Sequence, residues 1–81
     1  MTELAAVKAL IEDSLIGAEA LVEGDGRHFE AIIISEAFTG RSRLQRQQLV
    51  YQFLGDEFTQ GRIHALSMKT YTPEEWESMN G

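Results

Sequence analysis

The chain has 81 residues, 43% of them hydrophobic and 25% charged, which predicts a single globular domain over residues 1–81 with too little surface to bury for a second core. It contains no cysteine, which excludes thiol redox catalysis, a cysteine-type zinc site and an iron–sulfur cluster held on thiolates of its own. The net charge of −6 argues against tight, indiscriminate binding to nucleic acid.

No run of residues approaches the roughly 18 apolar positions of a membrane span, and Met1-Thr2-Glu3 lacks the positive region of a secretory signal. Absence of cysteine fits a reducing compartment, so a cytoplasmic location with no membrane contact is expected. The charge is unevenly spread. Residues 1–40 carry eight acids and two bases, a balance of −6, whereas residues 41–81 carry five of each. Arg41, Arg43 and Arg46 form a basic cluster with no acid among residues 41–46. A solvated helix face is one reading of that cluster, and a focused contact to a polyanion is the other.

From the N-terminus, Leu4, Val7, Leu10, Ile11 and Leu15 recur at helical spacing with Glu12 and Asp13 opposite, which predicts an amphipathic helix. Thr2 is the expected N-cap and Gly17 the stop. Ala18 to Glu23 reads as a short strand, Gly24-Asp25-Gly26 as a turn, and His28 to Ser35 as a second strand. The run Ile32-Ile33-Ile34 is apolar on both faces, as a central strand requires. Thr39-Gly40 breaks the chain before a long helix from Arg41 or Ser42 to about Phe58. Leu44, Val50, Tyr51, Leu54 and Phe58 are expected to form its apolar stripe, and Gly61 follows its end.

The last third carries the sharpest local signals. In Ile63-His64-Ala65-Leu66-Ser67-Met68-Lys69 the side chains alternate, with Leu66 and Met68 on the face of His64, and a strand is expected over about Arg62 to Lys69. Thr72-Pro73-Glu74-Glu75 then has the marks of a helix start: a capping hydroxyl, proline at the first helical position, and a glutamate that closes a capping box. Trp76 is expected to anchor that helix to the core. The predicted order is α-β-β-α-β-α, an α+β fold with a three-stranded mixed sheet. The hairpin strands should be antiparallel, and the helix-linked second and third strands parallel.

The stretch IHALSMKTYTPEEW resembles the C-terminal signature of the BolA family, and HFEAIIISEAFTGRSRLQRQQLVYQFL resembles that family's central strand and long helix. GDGRHF is similar to the acid-stress, IbaG-like branch. The likeness spans nearly the whole chain in order, and implies a relative of the class II KH fold. It also implies a non-enzymatic role in which the histidine of the HAL motif, His64, is an iron ligand. The cluster in question is a [2Fe–2S] centre shared with a monothiol glutaredoxin, which brings a cysteine and a bound glutathione. Neutral imidazole suits iron, and a cysteine-free chain suits that division of ligands. None of the cluster is expected to bind this chain alone.

Relatives take a second ligand from the loop between strands one and two, where His28 is the candidate in this chain. It sits at the strand's edge, and a plain surface histidine is the equal alternative there. Asp25 is read as a turn residue. The family is also associated with DNA-binding transcriptional regulation and stress response, for which Arg41, Arg43, Arg46 and Lys69 are the candidate contacts. The segment Thr39-Gly40-Arg41-Ser42-Arg43 has one glycine where a KH loop has Gly-x-x-Gly. A homodimer is a third, blander expectation. No catalytic residues are assigned. Ser35, Ser67 and His64 show no triad spacing, and no nucleophile elbow or phosphate-binding glycine loop is present.

Overall fold

The computed structural model of the protein describes residues 4–15, 17–25, 28–61, 63 and 65–80. The expectations for Thr2, Gly26, Arg62 and His64 lie outside those residues. Along the chain run helix α1 (Leu4–Ser14), strands β1 (Glu19–Gly24) and β2 (His28–Ile34), a 3-10 turn (Glu36–Phe38), helix α2 (Arg43–Thr59), strand β3 (Ala65–Tyr71) and helix α3 (Pro73–Asn80). This is the predicted α-β-β-α-β-α order, with the 3-10 turn added.

The sheet has the order β1-β2-β3. Strand β2 pairs antiparallel with β1, Leu21 opposite Ile32 and Glu23 opposite Glu30. It pairs parallel with β3, His28 beside Ala65 and Ile32 beside Lys69. The apolar run of β2 therefore occupies the middle of the sheet. A hairpin this tight needs Gly24, where a Cβ would collide with the His28 carbonyl oxygen and crowd Phe29.

Both long helices pack on one face. Val7, Ile11 and Leu15 from the first helical region, Val50 and Leu54 from α2, and Phe29, Ala31 and Ile33 from β2 form one buried cluster with Phe38 and Ile63. Alternation along β2 buries Phe29, Ala31 and Ile33 and leaves His28 and Glu30 exposed, as the period of two demands. The apolar stripe of α2 is narrower than predicted. Val50 and Leu54 are buried, but Leu44 is 64% exposed and Tyr51 41% exposed. Tyr51 instead tilts against Phe58, ring centroids 5.2 Å apart.

Helix α2 begins later than its first arginine because Ser42 forms a full capping box with Gln45. The Gln45 amide donates to Ser42 Oγ at 3.2 Å, and the Ser42 amide donates to Gln45 Oε1 at 2.8 Å. It ends at Thr59, and beyond its cap Gly61, with a φ of 75°, reverses the chain in a conformation that other residues avoid. Strand β3 runs two residues past Lys69, to Tyr71. Ile63 lies ahead of that strand and is 1% exposed, its amide donating to the Glu57 carbonyl at 3.1 Å. It is thus a core residue, set by the turn rather than by strand alternation. The 3-10 turn follows from Ser35, which is fully buried. Its amide donates to the Tyr71 carbonyl at 2.9 Å, and its Oγ accepts from the Ala37 amide at 3.1 Å.

Candidate functional site

Two separate regions carry the predicted residues. At one end of the sheet, His28 opens β2 and registers with Ala65, the residue that follows His64 in the sequence. The His28 side chain is 69% exposed. Asp25 closes the hairpin around it: one carboxylate oxygen accepts from the His28 amide at 2.9 Å, and the other stands 3.8 Å from the imidazole Nδ1. The Asp25 amide donates back to the His28 carbonyl at 3.2 Å. Asp25 is thus the turn residue expected, and it also places a carboxylate beside the ring. His28 itself sits on a strand rather than in mid-loop, on an element fixed by pairing on both sides.

Among the described residues, no three His, Cys, Asp or Glu side chains stand together as a metal-binding group. What the hairpin offers is a single exposed imidazole. A single imidazole of this kind fits a centre whose remaining ligands come from elsewhere.

The second region lies where α2 and α3 meet β3. Here the structure separates Arg46 from its neighbours. Its side chain is 12% exposed and makes a two-pronged ion pair with Glu75, at 2.7 and 3.2 Å. It also donates to the Thr70 carbonyl at 3.1 Å and, through Nε, to the Arg41 carbonyl at 3.0 Å. Its guanidinium stands 5.8 Å from the centroid of the Phe38 ring. The basic cluster therefore does have an acid, 29 residues further along the chain. Arg46 is a brace between elements, because its charge and its donors are spent inside the protein.

Glu75 is the other half of that brace. Besides Arg46 it serves the capping box of α3: its Oε1 accepts from the Thr72 amide at 2.8 Å, while the Glu75 amide donates to Thr72 Oγ1 at 3.2 Å. The Arg46 guanidinium first, and the Thr72 amide second, hold the Glu75 carboxyl at about 2, well below the ordinary 4.5. Trp76 lies against Tyr71, ring centroids 5.4 Å apart, so it holds the helix to the end of β3 as a half-buried residue rather than anchoring it in the core cluster as expected.

Arg41, Arg43 and Lys69 remain on the surface. Arg41 has no ion-pair partner among the described residues, and its Nε donates to the Ala37 carbonyl at 3.0 Å. Arg43 links two shallow depressions, one shared with Lys69 and Tyr71 and the other with Arg41 and Glu75. Three of the four predicted cations thus form one continuous edge. The histidine end of the sheet is a different place.

The family model described as BolA-like protein matches residues 3–75. The acid stress protein IbaG of Escherichia coli (strain K12) is 43% identical over 70 residues, covering 86% of this chain and 83% of that protein. The DNA-binding transcriptional regulator BolA of Vibrio cholerae is 44% identical over 57 residues, covering 70% of this chain and 53% of that protein. Among solved structures, a bolA protein homologue from Coxiella burnetii superposes with a TM-score of 0.84 at 45% identity, covering 95% of this chain and 99% of that one.

Proposed function

Since the chain belongs to the BolA-like family, we propose that it is a non-enzymatic adaptor in iron–sulfur handling. In this reading it docks on a monothiol glutaredoxin and adds histidine ligation to a [2Fe–2S] cluster shared with that partner and its glutathione. His64 is the proposed principal ligand, and His28 is the second candidate. The observation that carries the reading is the mounting of His28: an exposed imidazole at the head of a doubly paired strand, registered beside the residue that follows His64. The Asp25 carboxylate stands 3.8 Å from the ring Nδ1, beyond hydrogen-bond reach, and would orient the imidazole only by closing that gap. The absence of cysteine from the chain agrees with a division in which the partner brings every thiolate. The name acid stress protein belongs to the relative, and a role in stress regulation would follow from sensing or passing on the cluster.

The test is to mix the protein with cluster-loaded monothiol glutaredoxin and record visible absorption and circular dichroism. The wild-type chain should change the cluster spectrum. His64→Ala should abolish that change, and His28→Ala should reduce it less, with both variants folded. An unaltered heterocomplex spectrum from His64→Ala would remove the basis of the reading.

A second reading is favoured by a different observation. Arg41, Arg43 and Lys69 form a continuous cationic edge beside Tyr71, and a relative similar over 70% of this chain is named a DNA-binding transcriptional regulator. In that reading the edge meets a phosphate backbone. The single-glycine segment around Gly40 supplies no KH-type clamp, so contact would be electrostatic rather than base-reading.

A further inference from the structure

The helices α1 and α2 cover one face of the sheet, and the other face carries a pattern of which the readings above use only Lys69. Register places two rows across all three strands. Leu21, Ile32 and Lys69 form one row, and Glu23, Glu30 and Ser67 form the next. Leu21 is 52% exposed, with Ile32 half-buried beside it. The six side chains line a shallow depression of about 440 Å³. At the far end of the face, Tyr71 registers with Ile34 and its ring meets Trp76, so α3 closes that corner and leaves the two rows open.

Glu23 and Glu30 are direct cross-strand neighbours. Like charges so placed repel and weaken a hairpin, and among the described residues neither has an ion-pair partner. Glu19, also exposed, stands on the same face two residues from Leu21. An apolar centre with an uncompensated acidic flank is complementary to an apolar segment with a basic flank. We infer that this sheet face docks an amphipathic helix of a protein partner, its apolar stripe on Leu21 and Ile32 and its lysine or arginine side chains on Glu23 and Glu30.

The geometry suits a helix. A helix laid along the apolar row, across the strands, meets neighbouring strands about 4.8 Å apart, close to the rise of one helical turn, about 5.4 Å. Residues three or four apart on the helix would therefore meet successive strands of the Leu21–Ile32 row, and basic residues on its flank would reach the Glu23–Glu30 row. Lys69, ending the apolar row, would accept an acidic residue at the partner's margin. A second copy of this chain is a poor occupant, since a two-fold contact sets the same acidic face against itself. Nucleic acid and anionic lipid are repelled for the same reason.

The test needs no metal and is independent of the glutaredoxin reading. Isotope-labelled protein is titrated with a synthetic helical peptide bearing leucine at every third or fourth position, flanked by lysine. A control peptide has glutamate in place of each lysine. Amide shifts should centre on Leu21, Glu23, Glu30 and Ile32 with the lysine peptide only. Glu23→Lys combined with Glu30→Lys should weaken binding about tenfold or more, and Leu21→Ser should weaken it with charge unchanged. All three changes fall on exposed side chains, and amide dispersion checks that each variant is folded. If the double variant is unfolded, Leu21→Ser alone decides. Equal binding of both peptides, shifts centred on Arg41 and Arg43, or unaltered affinity in the variants would each overturn the inference. So would sedimentation showing a dimer that Leu21→Asp dissociates, because the face would then belong to a second copy.

Discussion

Thr72 makes the local chemistry of this chain most visible. It is 8% exposed, its hydroxyl accepts from the Glu75 amide, and its own amide donates to the Glu75 carboxylate. Two otherwise orphaned donors at the start of α3 are satisfied by one reciprocal pair. Thr72→Ala removes the hydroxyl half and should destabilise the protein by about 1 kcal/mol, read as a lower midpoint in denaturant with an unchanged slope. An unaltered midpoint would show that the cap contributes nothing. Arg46 shows the opposite case. Its neighbours in sequence place it in a basic cluster, while its actual partners, Thr70 and Glu75, lie 24 and 29 residues away. A capping box is written in four consecutive residues and can be read from them. An ion pair closed by folding cannot, because nothing local at Arg46 marks it as different from Arg43.

The same distinction holds between elements. Helix α1 and the alternating strand β3 are legible because burial of one face imposes a period on the sequence. The parallel pairing of β2 and β3 follows from the helix between them. The 3-10 turn at Glu36–Phe38 is not legible, being a single turn whose capping serine is ordinary in sequence and special only in its burial beneath Tyr71. The Ser42–Gln45 box at the start of α2 was available in the pattern Ser-x-x-Gln, and it puts the first helical residue at Arg43.

Arg46 joins the 3-10 turn, α2, β3 and α3, and this sets an expectation for acid. Glu75 has its carboxyl held at about 2 against an ordinary 4.5. A depressed carboxylate contributes stability that is complete above the ordinary value and is lost as pH falls toward the depressed one. The melting-temperature gap between wild type and Glu75→Gln should therefore be constant at neutral pH and close progressively from about 4.5 to about 2. Thermal melts across that range read it directly. Arg46→Ala should lower the melting temperature at neutral pH, whereas Arg43→Ala, an exposed side chain, should stay within about 0.5 kcal/mol of wild type. Equal effects of the two arginines would show that the brace carries no stability.

At the scale of the whole molecule, the chain divides its charge between surfaces. The acidic half of the sequence forms β1 and β2 and leaves Glu19, Glu23 and Glu30 on the open sheet face. Arg41, Arg43 and Lys69 are gathered at the edge where α2 borders β3. Among the described residues that edge is where three exposed cations gather to meet a polyanion, and the net charge of −6 opposes a diffuse approach. This fixes what DNA binding must look like if it occurs. With Arg46 committed to Glu75, three side chains are left for phosphate contacts, so the logarithm of affinity against the logarithm of salt concentration should fall with a slope of about −3 at most. Arg43→Ala should reduce that slope by about one, and Arg46→Ala should leave it unchanged in a folded protein. Fluorescence anisotropy with a labelled duplex over a salt series gives both values. A steeper slope means that cations outside this edge take part. A slope that Arg46→Ala reduces as much as Arg43→Ala does means that the Glu75 pair opens when DNA binds, and Arg46 would then rejoin the cluster to which its sequence neighbours assign it.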